Sequence, residues 1–256
     1  MYIYIYDSFV NHKKYEKVLA RIETRITDLG LNGKIVRIGI MTSVQDVIES
    51  EVRKGSNTII AVGNNSIFSQ ALNSISKLTE VNKNVTLGLI PVGKENNEIA
   101  NLLGIDLEET ACDILSARRI QTLDLGKAGN SYFLTQAQII TDSTKLEIDE
   151  NYTIETHEPG EIFILNLPTP DLGIDKNISS AEDGKLELLI RTAKSKKIIP
   201  IRTEGINHSY FNFKSVNIIN QKHHLTLDKT LSVDTPALVT IAKEKINLIV
   251  GKGRGF

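Results

Sequence analysis

The stretch TIIAVGNNSIFSQALNSI, residues 58–75, predicts a β-strand, a tight turn and a helix in direct succession. An apolar run rich in β-branched residues ends at Gly63, the small polar residues Asn64, Asn65 and Ser66 follow, and a helical pattern begins. The first N–H groups of a helix have no partner within it, and the helix dipole adds positive potential at the same point. The stretch therefore predicts an α/β protein with a turn suited to a phosphate.

Strand and helix patterns alternate through the first 118 residues. Strands are predicted at 2–6, 34–40, 58–62 and 85–90. Helices are predicted at 12–29, from Ser43, from Ser66, after PVGKENN up to Gly104, and at 107–118. Apolar residues recur on one face of 12–29, and Ser43 with Asp46 resembles a capping box. Such alternation predicts βαβ units around a parallel sheet.

Beyond residue 118 the pattern changes to short segments, most of which alternate polar and apolar residues. They are TLDLGK, SYFLTQAQII, KLEID, YTIET, EIFILNL, KLELLIR, KKIIPIR, SVNIIN, HHLTL, ALVTIA and INLIV. These segments predict an antiparallel β-sandwich or barrel. We therefore expect a three-layer α/β domain at 1–118 and a β-sandwich domain at 119–256, with the last strand packing back on the first domain. The longest irregular stretch, 167–185, indicates a functional or mobile loop.

Composition limits the classes of partner. The 256 residues are 41% hydrophobic and 24% charged, and 30 basic against 31 acidic residues give a net charge of −1. Nucleic acid is not an expected partner, because there is no basic excess. A lone cysteine, Cys112, indicates a reducing compartment and a small core residue on a helix. Without a signal-peptide pattern or an apolar run of ~20 residues, we expect a cytoplasmic protein with no transmembrane segment.

A second glycine turn follows the next predicted strand. Gly93 in PVGKENN ends the strand at 85–90, as Gly63 ends the strand at 58–62. Adjacent parallel strands bring such turns side by side at the carboxyl edge of the sheet, where α/β folds bind ligands. Any strand-to-helix connection uses glycine and a polar cap, so either turn alone is weak evidence. The pair together favours a ligand site.

Four stretches carry a resemblance to a known family: AVGNNSI, PVGKENNEIANLLGI, FILNLPTPDLGIDKNISSAEDGKLELLI and LTLDKTLSVDTPALVTIAKEKINLIV. In this order they resemble the diacylglycerol kinase-like lipid kinases, which are relatives of the NAD kinases and sphingosine kinases. The first two stand in the places of the family's GGDGT loop and P-x-G-T-x-N-D-F-A segment. The last two are similar to its Asn-containing strand with a D-G-x-L-D-V strand, and to its final D-G-E hairpin. The resemblance covers nearly the whole chain.

The resemblance implies ATP and Mg²⁺ as ligands, with a lipid or another hydroxyl acceptor in a cleft between the domains. The residues that would hold the nucleotide are Gly63, Asn64, Asn65, Ser66, Gly93, Lys94, Asn97 and Glu98. Asp228 and Thr230 fall in the catalytic hairpin, and Asp183 falls where the family looks able to hold a metal. Two simpler readings stay open, a solvated lysine at 94 and a plain Asp-Gly turn at 183. Peripheral membrane contact and a homodimer are also open.

The chain departs from the family at its presumed reacting centre. Asn65 stands where the loop has aspartate, and Lys94 stands where the second segment has threonine. One extra residue precedes Asn97. In the last hairpin Asp228 keeps its place, but Thr230 replaces the glutamate that looks like the family's general base.

These departures predict weak chemistry. Threonine at 230 cannot accept a proton at neutral pH, and asparagine at 65 can donate to a phosphate but holds Mg²⁺ poorly. Asn64 and Ser66 add Cβ atoms where the backbone approaches a ligand. We therefore favour a nucleotide-binding pseudokinase. An active divergent lipid kinase and a structural or interaction protein that keeps only the fold are the alternatives.

The sequence also contains a pair of adjacent histidines. His223 and His224 read as neighbours on a strand, HHLTL, and would point to opposite faces. A metal site shared by the two imidazoles is therefore not expected.

Overall fold

The structure is a computed structural model, and it describes the chain except residues 40, 79–84, 157, 168, 170–171, 174–178 and 193–206. Its α-helices are α1 (Glu16–Asp28), α2 (Val44–Arg53), α3 (Asn65–Lys77), α4 (Glu98–Leu102) and α5 (Ala111–Ala117). Short 3₁₀ turns cover Ser8–Asn11, Lys13–Tyr15 and Glu108–Thr110. The strands are β1 (Tyr2–Tyr6), β2 (Gly33–Arg37), β3 (Thr58–Gly63), β4 (Thr86–Pro91), β5 (Ile120–Ala128), β6 (Ser131–Phe133), β7 (Gln136–Ile140), β8 (Lys145–Ile148), β9 (Tyr152–Glu155), β10 (Gly160–Leu165), β11 (Leu186–Thr192), β12 (Asn207–Phe213), β13 (Ser215–Ile219), β14 (Leu225–Leu227), β15 (Leu231–Val233) and β16 (Ala237–Ile249).

The first compact unit, Met1–Leu123 with Glu244–Phe256, contains the parallel sheet. Its strand order is β2-β1-β3-β4, and the end of β16 pairs with β4 in parallel. Strands β3 and β4 are buried along their whole length, as parallel strands covered on both faces are. The helices pack in two groups, α2 with α3 and α1 with α5. The predicted α/β architecture is confirmed.

The register of this sheet places the two turns together. Gly63 at the end of β3 lies opposite Pro91 at the end of β4. The helix predicted at 12–29 begins only at Glu16, because Lys13–Tyr15 forms a 3₁₀ turn. The expected cap of α2 is present, since the Ser43 hydroxyl accepts from the N–H of Asp46 at 3.4 Å.

The second compact unit, Asp124–Lys243, is antiparallel. One sheet has the strand order β12-β11-β10-β7-β14-β15. In the other sheet, the strand order from β16 onward is β16-β13-β8-β9. Apolar side chains from both sheets, among them Phe133, Leu188 and Val216, form one buried core. The antiparallel architecture predicted for this part of the chain is confirmed.

Some segments differ from their sequence-based predictions. ALVTIA and INLIV belong to one continuous strand, β16, and β12 was not predicted at all. The predicted strand KKIIPIR, 196–202, lies outside the described residues, as does part of the predicted loop at 167–185. Within the ranges described, no helix has the length and apolar character needed to cross a membrane.

Candidate functional site

The first turn is held by packing around Gly63. A Cβ atom at this position would lie 2.9 Å from Asp7 Cβ and 2.9 Å from Ile67 Cγ2, so the turn requires glycine for packing. Asn64 caps α3, because its side-chain oxygen accepts from the N–H of Ser66 at 2.9 Å. The helix predicted from Ser66 therefore begins one residue earlier, at Asn65, and Asn64 is its N-cap.

Asn65 joins the first turn to the second. It is 2% exposed, and its backbone N–H donates to the carbonyl of Asn96 at 2.8 Å. Its side-chain oxygen accepts from the N–H of Ile99 at 3.2 Å, which turns the amide nitrogen toward Glu98. That nitrogen donates to Glu98 Oε2 at 2.6 Å. A buried amide thus ties together two turns that are more than thirty residues apart.

The second turn is built around Gly93 and Asn97. The N–H of Val92 donates to the carbonyl of Gly63 at 2.7 Å. Gly93 has φ +82°, a backbone conformation that favours glycine, and a Cβ there would lie 3.3 Å from the Tyr15 hydroxyl. The amide nitrogen of Asn97 donates to the carbonyl of Gly93 at 2.7 Å. Its oxygen is buried without a hydrogen-bond partner in the described part of the chain. That acceptor suits a ligand hydroxyl.

The structure brings together the eight residues predicted to hold a nucleotide. All eight lie in the first unit, at the carboxyl ends of β3 and β4. Lys94 is exposed, and Ser66 is half-buried. Two of the partners that fix them, the Asn96 carbonyl and the Ile99 N–H, could not be predicted, because backbone groups leave no residue-type signal in the sequence.

Asp228 lies in the turn between β14 and β15, in the second unit. Its carboxylate is buried and accepts from the N–H groups of Leu134 (2.8 Å), Thr135 (2.7 Å) and Gln136 (3.2 Å) and from the Thr135 hydroxyl (2.7 Å). Burial raises the pKa of Asp228, and these donors oppose the shift. Oδ1 accepts from three of these donors and Oδ2 accepts from the N–H of Leu134. The geometry favours a structural role, and the catalytic role stays a prediction.

Thr230 follows in the same turn. Its N–H donates to the carbonyl of Leu227 at 2.9 Å, and its hydroxyl reaches the same oxygen only at 3.4 Å. The side chain is half-buried. A hydroxyl in this setting has no means of accepting a proton at neutral pH.

Asp183 lies in an exposed turn of the second unit. Its Oδ1 accepts from the N–H of Lys185 at 3.0 Å, which is the geometry of an Asx turn. The neighbouring N–H of Gly184 donates to Asp124 Oδ2 at 2.9 Å. In the residues that the structure describes, no three histidine, cysteine, aspartate or glutamate side chains are grouped to hold a metal. The metal role of Asp183 stays a prediction. The Asn65–Glu98 pair does not fit Mg²⁺, because it joins a carboxylate to an amide donor.

The two histidines do not lie as the sequence indicates. Strand β14 begins at Leu225, so both residues precede it. The predicted strand position of the pair is therefore wrong, and both residues line a cavity of about 410 Å³. His223 Nε2 lies 3.6 Å from Asp142 Oδ2, and His224 Nδ1 lies 2.9 Å from Asp234 Oδ1.

Glu187 is a buried acid that sequence reasoning missed. It lies on β11, is 5% exposed, and its Oε2 has no hydrogen-bond partner among the residues described. Burial, and secondarily the charge of Asp183, raise the pKa of Glu187 from 4.5 to about 7. In the strand KLELLIR it occupies an outward position of an alternating pattern, so the sequence predicts exposure.

Replacing Glu187 with glutamine is expected to stabilise the protein at pH 8 by about 2–3 kcal/mol. The folded state holds its proton more tightly than the unfolded state, so stability is lost as the pH rises from 4.5 to 7. Urea unfolding at pH 8 and pH 5 measures the gain, which should shrink at pH 5. Glu155→Gln, at an exposed glutamate, is the control. An equal gain at both pH values would contradict the assignment.

The fold and the turns define a class, an α/β domain with paired glycine turns that is followed in sequence by an antiparallel β unit. Residues 2–128 match the diacylglycerol kinase catalytic domain family. The chain belongs to the diacylglycerol kinase-like family.

Solved structures share the fold over the whole chain. A diacylglycerol kinase from Bacillus anthracis str. Sterne is similar at 16% identity with a TM-score of 0.75, over 98% of this chain and 97% of that one. Another protein of that organism, provisionally described as a diacylglycerol kinase, is similar at 14% identity with a TM-score of 0.74, over 99% and 97%. No curated protein sequence matches the chain significantly.

Proposed function

We propose that this protein binds ATP at the Gly63 and Gly93 turns and that its phosphoryl transfer is weak or lost, so that it acts as a pseudokinase. A lipid or another hydroxyl compound would be the second ligand. The observation that carries the proposal is Thr230, whose hydroxyl replaces the expected base and cannot accept a proton at neutral pH.

The nucleotide part of the proposal rests on the family and on the turns. Lys94 is exposed beside Gly93, where its ammonium group suits a phosphate, and the unpartnered oxygen of Asn97 suits a hydroxyl donor. Substitutions at Gly63 or Gly93 cannot test ligand binding cleanly, because packing or a positive φ requires glycine at each. Lys94 is the better probe.

ATP is expected to raise the thermal unfolding midpoint of the parent protein, because a ligand that binds only the folded state stabilises it by mass action. Lys94→Ala should weaken the apparent affinity by about tenfold, the loss of one charge-assisted contact. Lys77→Ala, at an exposed lysine that ends α3, is the matched control and should leave the affinity unchanged. A midpoint that does not move with ATP would favour an interaction protein that keeps only the fold.

A further inference from the structure

The N-terminus of α3 is already occupied by acceptors of the protein itself. The N–H of Asn65 donates to the Asn96 carbonyl at 2.8 Å, and the N–H of Ser66 donates to the Asn64 side chain at 2.9 Å. These are the first two N–H groups of the helix. A phosphate placed at a helix N-terminus normally takes such donors.

A carboxylate also lies at this N-terminus of α3. Glu98 Oε2 accepts from the Asn65 amide at 2.6 Å, so its negative charge lies beside the same helix start. Asn65 is buried and cannot turn away without breaking its bond to Ile99. Glu98 itself is exposed, and among the described residues its carboxylate has one hydrogen bond, to the Asn65 amide. Release of the Glu98 carboxylate would therefore break one hydrogen bond.

A second observation indicates that the turn was shaped around a ligand. The oxygen of Asn97, the residue before Glu98, is buried and has no hydrogen-bond partner within the described ranges. Buried polar atoms are nearly always paired, so an orphaned acceptor indicates a missing donor. A nucleotide hydroxyl would supply one.

We propose that Glu98 is an autoinhibitory residue that occupies the anion position of α3 and lowers the affinity for phosphate ligands. The inference rests on the proposed function and deepens it, because it names the regulation of the same site. A phosphate that binds must displace the Glu98 carboxylate and take over the Asn65 amide. The donor that faces Glu98 is the neutral amide of Asn65.

The test is titration calorimetry with ATP in EDTA on four proteins. Glu98→Ala removes both the charge and the bridge and should bind ATP about tenfold to a hundredfold more tightly than the parent, because a like charge next to the phosphate is removed. Glu98→Gln removes the charge and keeps an acceptor for Asn65, so it should show an intermediate gain in a protein whose turn is preserved. Glu95→Ala removes an exposed acid of the same turn and should stay within about twofold of the parent.

The outcomes separate the inference from the function on which it rests. If the parent binds ATP and neither Glu98 variant binds more tightly, Glu98 does not compete and the nucleotide-binding proposal stands. If neither the parent nor a folded Glu98 variant binds ATP, both proposals are overturned. An equal gain in Glu95→Ala would show a general charge effect and would also overturn the assignment to Glu98. Circular dichroism of each variant establishes that it is folded.

Discussion

Asp228→Ala is expected to lower the free energy of unfolding by about 3–5 kcal/mol, because it leaves buried donors that face a charged acceptor without a partner. The donors are the N–H groups of Leu134, Thr135 and Gln136 and the Thr135 hydroxyl. Removal of one side chain therefore disrupts a segment more than ninety residues away in sequence. Urea unfolding followed by circular dichroism measures the loss.

Two controls separate this effect from ordinary truncation. Asp149→Ala removes a half-buried carboxylate that accepts from the N–H groups of Lys214 and Ser215 at 2.8 Å each, and it should cost about 1 kcal/mol. Thr230→Ala, whose hydroxyl contact is 3.4 Å, should cost less than about 1 kcal/mol. An Asp228→Ala protein as stable as the parent would contradict the structural role and restore the catalytic one.

The sequence predicts the fold well where periodicity is strong. The run at 58–62 is mostly apolar and β-branched, which predicts a buried strand, and the structure buries all of β3. β12 was missed because its residues 209–212 are exposed on both faces, which leaves no alternation to detect. The start of α1 was placed early because a 3₁₀ turn and an α-helix share the spacing of their apolar residues over one turn.

The site is predictable in position and not in contacts. Parallel strands place Gly63 and Gly93 at one edge of the sheet regardless of side-chain packing, and the sequence predicts this. The bridge from Asn65 to Glu98 depends on the depth at which each turn packs, and no local pattern encodes that depth. The same holds for Asp228, whose hydrogen-bond partners lie on a segment distant in sequence. It also holds for Glu187, which is buried although the alternating pattern of its strand predicts exposure.

Phosphoryl transfer by the parent protein is expected to be slow or undetectable with ATP, Mg²⁺ and dispersed diacylglycerol. The family resemblance puts the general base at residue 230, and loss of such a base commonly lowers the rate by about 10²–10⁴-fold. Release of labelled phosphatidic acid, compared with a control without protein, measures it. Turnover well above that control would contradict the pseudokinase proposal and favour an active divergent lipid kinase.

Asn65→Asp combined with Thr230→Glu is expected to restore part of the transfer, because the first change supplies a carboxylate next to the phosphates and the second supplies the base. The new carboxylate at position 65 would face Glu98, whose own carboxylate lies 2.6 Å from the present amide nitrogen, so two acids replace an acid and a donor. Oxygen pairs of this kind are the ligands that Mg²⁺ prefers, and the variant should need Mg²⁺ for stability as well as for turnover. Asn65→Asp alone should unfold at a lower temperature in EDTA than in Mg²⁺, whereas the parent should show no difference. Recovery of transfer without this metal-dependent stability would show that residue 65 does not face the metal, and the gain would then belong to the Thr230→Glu change alone.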